Sequence, residues 1–134
     1  MGTLFGSREG EGYDDIRYPR LNNTPNHDAL HAKLAILEGA EAALVTASGM
    51  AAISCTLLQL CKAGDHIVSS NIVYGGTHAL LRDLLPEMGV TTTFVDPADT
   101  EAFEAAIRPE TRVIYTESIG NPTLRAADIP ALSA

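Results

Sequence analysis

The sequence predicts an α/β fold: a mostly parallel sheet with flanking helices, preceded by an extended arm. Three observations carry this expectation. Four short apolar or β-branched runs alternate with segments of helical spacing, which is the βαβ pattern of parallel strands joined by crossovers. Three of the four runs end in connectors that are more polar, more glycine-rich or more aromatic than a plain turn requires, and such sheets bind ligands beyond the carboxyl ends of their strands. Finally, 134 residues with 46% hydrophobic and 19% charged side chains suffice for one core and are short for two.

Residues 1–26 carry four Gly and two Pro with no sustained period, so they are read as the arm, and residues 27–134 as the domain. In "HDALHAKLAILEG" the spacing of Leu30, Leu34 and Leu37 predicts a helix with a buried leucine stripe, and Gly39 suits its C-cap. A strand "AALVTA" (42–47) follows, then a helix from Gly49 to Cys61 closed off by Gly64. Strand "HIVSS" leads to a helix from Thr77 to Leu85, stopped by Pro86 and Gly89. Strand "VTTTFV", a helix around "TEAFEAAI" capped by Asp99 or Thr100, strand "RVIYTE", loop "SIGNPT" and a short turn at Asp128 complete the series.

Composition excludes several function classes. A formal net charge of -8, with nine Lys and Arg that form no cluster, opposes binding to nucleic acid. No apolar run approaches the ~20 residues that span a bilayer, and the first residues lack the layout of a signal peptide, so a cytoplasmic protein is expected. Gly6 stands where an N-myristoylation motif needs Ser or Thr. Cys55 and Cys61, six apart in one predicted helix, cannot bridge and are read as small core residues. His27 and His31 share a helix face, yet no carboxylate or Cys completes a ligand set; they are read as surface histidines, with no metal.

The stretch "TASGMAAI" breaks two apolar runs with a Ser-Gly pair. A helix starting there directs the backbone N–H groups of its first turn, and the positive end of its dipole, at whatever lies beyond. Ser48, Gly49 and Met50 are therefore candidates for a phosphate cradle, the alternative being a Ser48 cap that binds nothing. The pattern is neither a G-x-x-x-x-G-K-[ST] loop nor G-x-G-x-x-G, which leaves a single phosphate rather than a nucleoside triphosphate or a dinucleotide. Tyr74, one of four tyrosines, stands ahead of "GGT" at a strand-to-helix turn where a ring can cover a planar ligand, or else fill the sheet edge. Asn121 in "GNPT" offers two donors and an acceptor before a rigid proline, or serves as a simple turn residue. Arg20, with Tyr18 on the arm, can pair with a phosphate in two parallel bonds or remain solvated. Glu117 follows the last strand and either takes part in acid-base chemistry or orients its neighbours.

The ordered series "YPR", "LEGAEAALVTASGMAAI", "AGDHIVSSNIVYGGT", "FVDPADTEAFEAAI" and "ESIGNPT" resembles the pyridoxal-phosphate enzymes of cysteine and methionine metabolism, the transsulfuration family, from Tyr13 to Ala134. The resemblance implies the large domain of a fold-type-I PLP-dependent transferase, seen in part. It implies that Gly49 and Met50 hold the cofactor phosphate beside Ser48, that Tyr74 stacks on the pyridine ring and takes part in proton transfer, and that Asn121 lies near the phenolic oxygen. Tyr18 and Arg20 match a pair that reaches a neighbouring subunit's phosphate, although Pro19 replaces the usual small hydroxyl residue between them. The family's strand aspartate and Schiff-base lysine would follow Ala134; Asp128, Lys33 and Lys62 do not match them, so this chain is read as an amino-terminal fragment, inactive by itself. The implied activity is γ-replacement or γ-elimination on homoserine esters or sulfur amino acids, in a homo-oligomer. Enzymes making homocysteine from an acylated homoserine and sulfide, the O-acetylhomoserine sulfhydrylases, match best, with cystathionine γ-synthase close. Cystathionine or methionine γ-lyases, or a non-catalytic remnant, are the alternatives.

Overall fold

A computed structural model describes Gly12 and residues 16–133. The rest of the predicted arm lies outside the described residues. The chain divides into two compact units, Met1–Ala47 and Ser48–Ala134.

In the first unit, Pro19 opens a 3-10 turn, Pro19–Leu21, that ends with Asn22 in the left-handed region at φ 56°. Asn23 ties the chain on either side: its carboxamide accepts from Tyr18 N at 2.9 Å and donates to Ile16 O at 2.6 Å. Helix α1, Pro25–Glu38, starts with proline where no intrahelical N–H is lost and with a capping box in which His27 takes the role usually played by Glu or Gln. Its C-cap, Gly39, sits at φ 61°, a conformation glycine adopts without penalty. The predicted leucine stripe is a correction. Only Ala35 is buried on α1, whereas Leu30 is 43% and Leu37 70% exposed. Periodicity marks which side of a helix is apolar and is silent on what covers it.

The second unit holds a three-stranded parallel sheet ordered β2-β1-β3, with β1 at His66–Ser70, β2 at Thr91–Val95 and β3 at Thr111–Tyr115. The parallel α/β arrangement expected from the alternation is present. The fourth predicted strand is not: among the described residues, 42–47 form no strand, and the Val45 carbonyl accepts from Asn22 Nδ2 at 2.7 Å. An apolar run becomes a strand only where a neighbour offers a ladder.

All five residues of β1 are buried, as for the central strand of a doubly covered sheet. On one face Ile67 pairs with Thr92 and Val113, and Ser69 with Phe94 and Tyr115. Helix α2, Gly49–Leu60, and the helical stretch after β1 cover that face. The stretch runs through α3 (Gly75–Ala79), a π-helical turn (Leu80–Leu84) and α4 (Leu85–Glu87). Leu57, Ile67, Leu80, Leu81, Leu85 and Val90 form the core there, each side chain worth about 1.5–3 kcal/mol of burial. On the opposite face α5, Thr100–Ala106, packs on β1 and β2 with Phe103 fully buried. Asp99 caps α5, and Asp128 caps the short α6, Ile129–Leu132.

The helix expected from Thr77 begins at Gly75. Glycine propensity argues for a loop at 75 and 76, but packing decides otherwise: a Cβ on Gly76 would lie 2.7 Å from Tyr74 Cε1. Among the described residues no helix is long and apolar enough to cross a membrane.

Candidate functional site

The site is built from the first turn of α2 and from the connectors that follow the strands. Ser48, extended at φ -161° and ψ 160°, is the N-cap of α2, and its Oγ accepts from Ala51 N at 3.1 Å. The N–H groups of Gly49 and Met50 have no intrahelical acceptor. A Cβ built on Gly49 meets nothing within 4 Å, so the turn faces open space rather than the core. The cap reading and the cradle reading are compatible, since the serine hydroxyl uses a different N–H from the two at the tip of the helix.

Tyr74 is the N-cap of α3, and the residue is 51% exposed. The ring folds back over Gly76, and the same Cβ position on Gly76 lies 3.2 Å from Met50 Sδ. Thr77 Oγ1 donates to Met50 Sδ at 3.7 Å. The Tyr115 phenol hydrogen-bonds Thr77; burial pushes its pKa up, the Thr77 bond opposes this, and the Glu117 charge adds to the rise. The ring of Tyr74 and the first turn of α2 therefore share one surface, tied underneath by Thr77.

The loop after β3 closes against the same edge. Glu117 Oε1 accepts from Tyr74 N at 2.9 Å. Gly120 is pressed onto the segment before Tyr74, because a Cβ there would lie 2.6 Å from Ile72 Cγ2 and 2.9 Å from Ile72 O. Gly120 N donates to Arg125 O at 2.8 Å, closing the turn that presents Asn121 before a cis Pro122. Arg125 grips Asp96, just beyond β2, through two bonds of 2.7 Å. The Asp96 carboxyl is held below its ordinary value, first by the Ala98 N–H and then by Arg125. Loops after all three strands are thus fastened together, and Gly120, next to Asn121, lies against Ile72.

A sequence model for the Cys/Met metabolism PLP-dependent enzymes matches residues 4–134. The chain belongs to this family. Among relatives of the PLP-dependent family, a methionine gamma-lyase of Arabidopsis thaliana is 46% identical over 99% of this chain and 30% of its own length. An O-acetyl-L-homoserine sulfhydrylase of Leptospira meyeri is 45% identical over 97% of this chain and 28% of its own. The crystal structure of cystathionine gamma-lyase from Lactobacillus plantarum, complexed with L-serine, superposes with a TM-score of 0.85 at 40% identity, over 99% of this chain and 34% of that one. The chain thus spans about a third or less of the length of these family members.

Of the residues the sequence singles out, Met50 at the start of α2 and Tyr74 both lie against Gly76, and Asn121 sits on the loop whose Glu117 bonds the Tyr74 N–H. Tyr18 and Arg20 belong to the first unit, where the Arg20 guanidinium lies 5.9 Å from the Tyr18 ring centre. The turn opened by Pro19 is what folds Arg20 back on its neighbour. His27 and His31 are half-buried rather than superficial: His27 Nδ1 is 2.8 Å from Thr24 Oγ1, and His31 Nε2 is buried with no partner among the described residues. Among those residues no group of three or more His, Cys, Asp or Glu is placed to hold a metal. Sequence reasoning missed Thr77 and the Asp96–Arg125 pair. Thr77 carried a signal in directly following the glycine pair; Arg125 carried none, since its partner lies 29 residues away.

Proposed function

We propose that this chain forms part of the pyridoxal 5'-phosphate site of an enzyme acting at the γ-carbon of homoserine esters or sulfur amino acids. The observation that carries the reading is the shared surface of the Tyr74 ring and the first turn of α2. A phosphate monoester has acceptor-free N–H groups at Gly49 and Met50 and the helix dipole behind them. Tyr74 is exposed, and its N–H is bonded by Glu117 on the loop that carries Asn121. These residues fit the phosphate, the ring and a ring substituent respectively, and among the described residues of the unit no others offer that combination of a helix tip and an exposed aromatic.

When bound, the cofactor supplies an electron sink for carbanionic chemistry on an amino acid. The chain's own contribution is to bind and orient. Gly49 and Met50 hold the phosphate, Ser48 keeps their turn in register, and Tyr74 covers the ring and is placed to move a proton through its phenol. Asn121 holds the ring's oxygen substituent. Tyr18 and Arg20 reach the phosphate site of a second copy in a homo-oligomer, and the protein works in the cytoplasm. Replacement on an acylated homoserine is the first reading, supported by the likeness to the sulfhydrylase; the equal likeness to a methionine gamma-lyase supports elimination as the second.

Binding of 4'-deoxypyridoxine 5'-phosphate, which lacks the aldehyde and so cannot react with Lys33 or Lys62, tests the site directly. Fluorescence titration is expected to show Tyr74→Ala weakening binding by about tenfold, the scale of one aromatic stacking contact. Equal binding by wild type and Tyr74→Ala would sink the reading.

A further inference from the structure

A helix N-cap has a backbone N–H of its own to satisfy, and in a capping box the N3 side chain reaches back to take it. In α3 the N-cap is Tyr74 and N3 is Thr77, which is turned away to Met50 and Tyr115. The acceptor for the Tyr74 N–H is instead Glu117 Oε1 at 2.9 Å, 43 residues further along the chain. We infer that Glu117 is the positioning residue for Tyr74: a cap delivered from the loop of the neighbouring strand, which sets the pitch of the tyrosine ring over the start of α2.

Three constraints make this more than an incidental bond. The N3 side chain, Thr77, is engaged with Met50 rather than with the Tyr74 N–H, so the acceptor for that N–H comes from outside the helix, from Glu117. The ring has one floor, Gly76, where a Cβ would collide with it, so a small rotation of the Tyr74 backbone lifts the ring from that floor. And Glu117 is itself fixed, since Gly120, three residues on, is wedged against Ile72. A charged acceptor on a backbone N–H is among the stronger kinds of hydrogen bond. The placement of Tyr74 by Glu117 stands on these contacts alone; its effect on ligand affinity rests on the proposed function above.

The test compares Glu117→Ala and Glu117→Gln with wild type in the full chain, by amide hydrogen exchange at Tyr74 and by titration with 4'-deoxypyridoxine 5'-phosphate. Loss of the acceptor is expected to speed exchange of the Tyr74 amide by about tenfold and to weaken ligand binding in parallel. The glutamine variant, which keeps a carbonyl acceptor, is expected to restore both. Unchanged exchange in Glu117→Ala, or a folded Glu117→Gln that restores nothing, overturns the inference. Should Glu117→Ala not fold, Glu117→Asp takes its place: its carboxylate, one methylene shorter, draws back from the Tyr74 N–H, so faster exchange of that amide is expected and unchanged exchange overturns the inference. If the exchange result holds while wild type fails to bind the analogue, Glu117 keeps its role and only the cofactor reading fails.

Discussion

Helix α1 and strand β1 carry comparable apolar patterning and meet opposite fates. Strand β1 buries all five of its residues, two serines and a histidine among them, while α1 leaves Ile36 80% and Leu37 70% exposed and buries only Ala35. The difference teaches that burial is decided by neighbours. Strand β1 is flanked by two strands and covered on both faces, so its polar side chains find partners close by: His66 Nδ1 lies 2.8 Å from Thr111 Oγ1 and Nε2 2.9 Å from Thr93 Oγ1.

The largest effect that would break the comparison is truncation on each side of it. Ile67→Ala is expected to cost about 2–5 kcal/mol in denaturant unfolding of the second unit, and Leu37→Ala to stay within about 0.5 kcal/mol. Similar losses would mean that α1 is covered in solution. At the boundary of the core, Ser48→Ala removes the cap of α2 and is expected to cost about 1 kcal/mol, whereas Ser48→Asp retains it. Equal unfolding midpoints for wild type and Ser48→Ala would show that the Ala51 N–H finds another partner.

The smallest effect sharpens the contrast by pH. Burial first, and then the Arg108 charge, lower the pKa of His66 from its ordinary 6.5, with Glu110 opposing. The unfolded chain takes up this proton near 6.5 and the folded chain only at lower pH, so the unfolded state binds more protons between the two values. Stability is therefore level above about pH 6.5 and declines as the pH falls from there toward the native value. Asp83 and Asp96, both lowered from 3.8, lose their contribution in a more acidic window. A series of unfolding midpoints from about pH 8 to pH 5 checks this, with His66→Gln expected to flatten the slope.

Much of the second unit was legible because its signals are local. Asp99, Asp128 and Ser48 announce helix starts by a side chain that reaches three residues ahead, and alternation of strand and helix implies a parallel sheet without any knowledge of partners. The candidate site was legible in part for the same reason: Ser48, Gly49 and Met50 are one turn, and Tyr74 and Asn121 each follow a strand. What escaped depends on distance. "AALVTA" reads as a strand until one asks which ladder would receive it. Glu117 was visible as a charge after a strand, but its partner is a backbone N–H, which no side-chain pattern reveals.

The wedge of Gly120 against Ile72 has a consequence for engineering. Two connectors that lean on each other through a missing methyl group behave as one part, so transplanting the 117–127 segment from a relative to redirect chemistry would misfit unless residues 71–74 travel with it. Libraries that vary these stretches together will retain far more properly assembled variants than libraries that vary either alone.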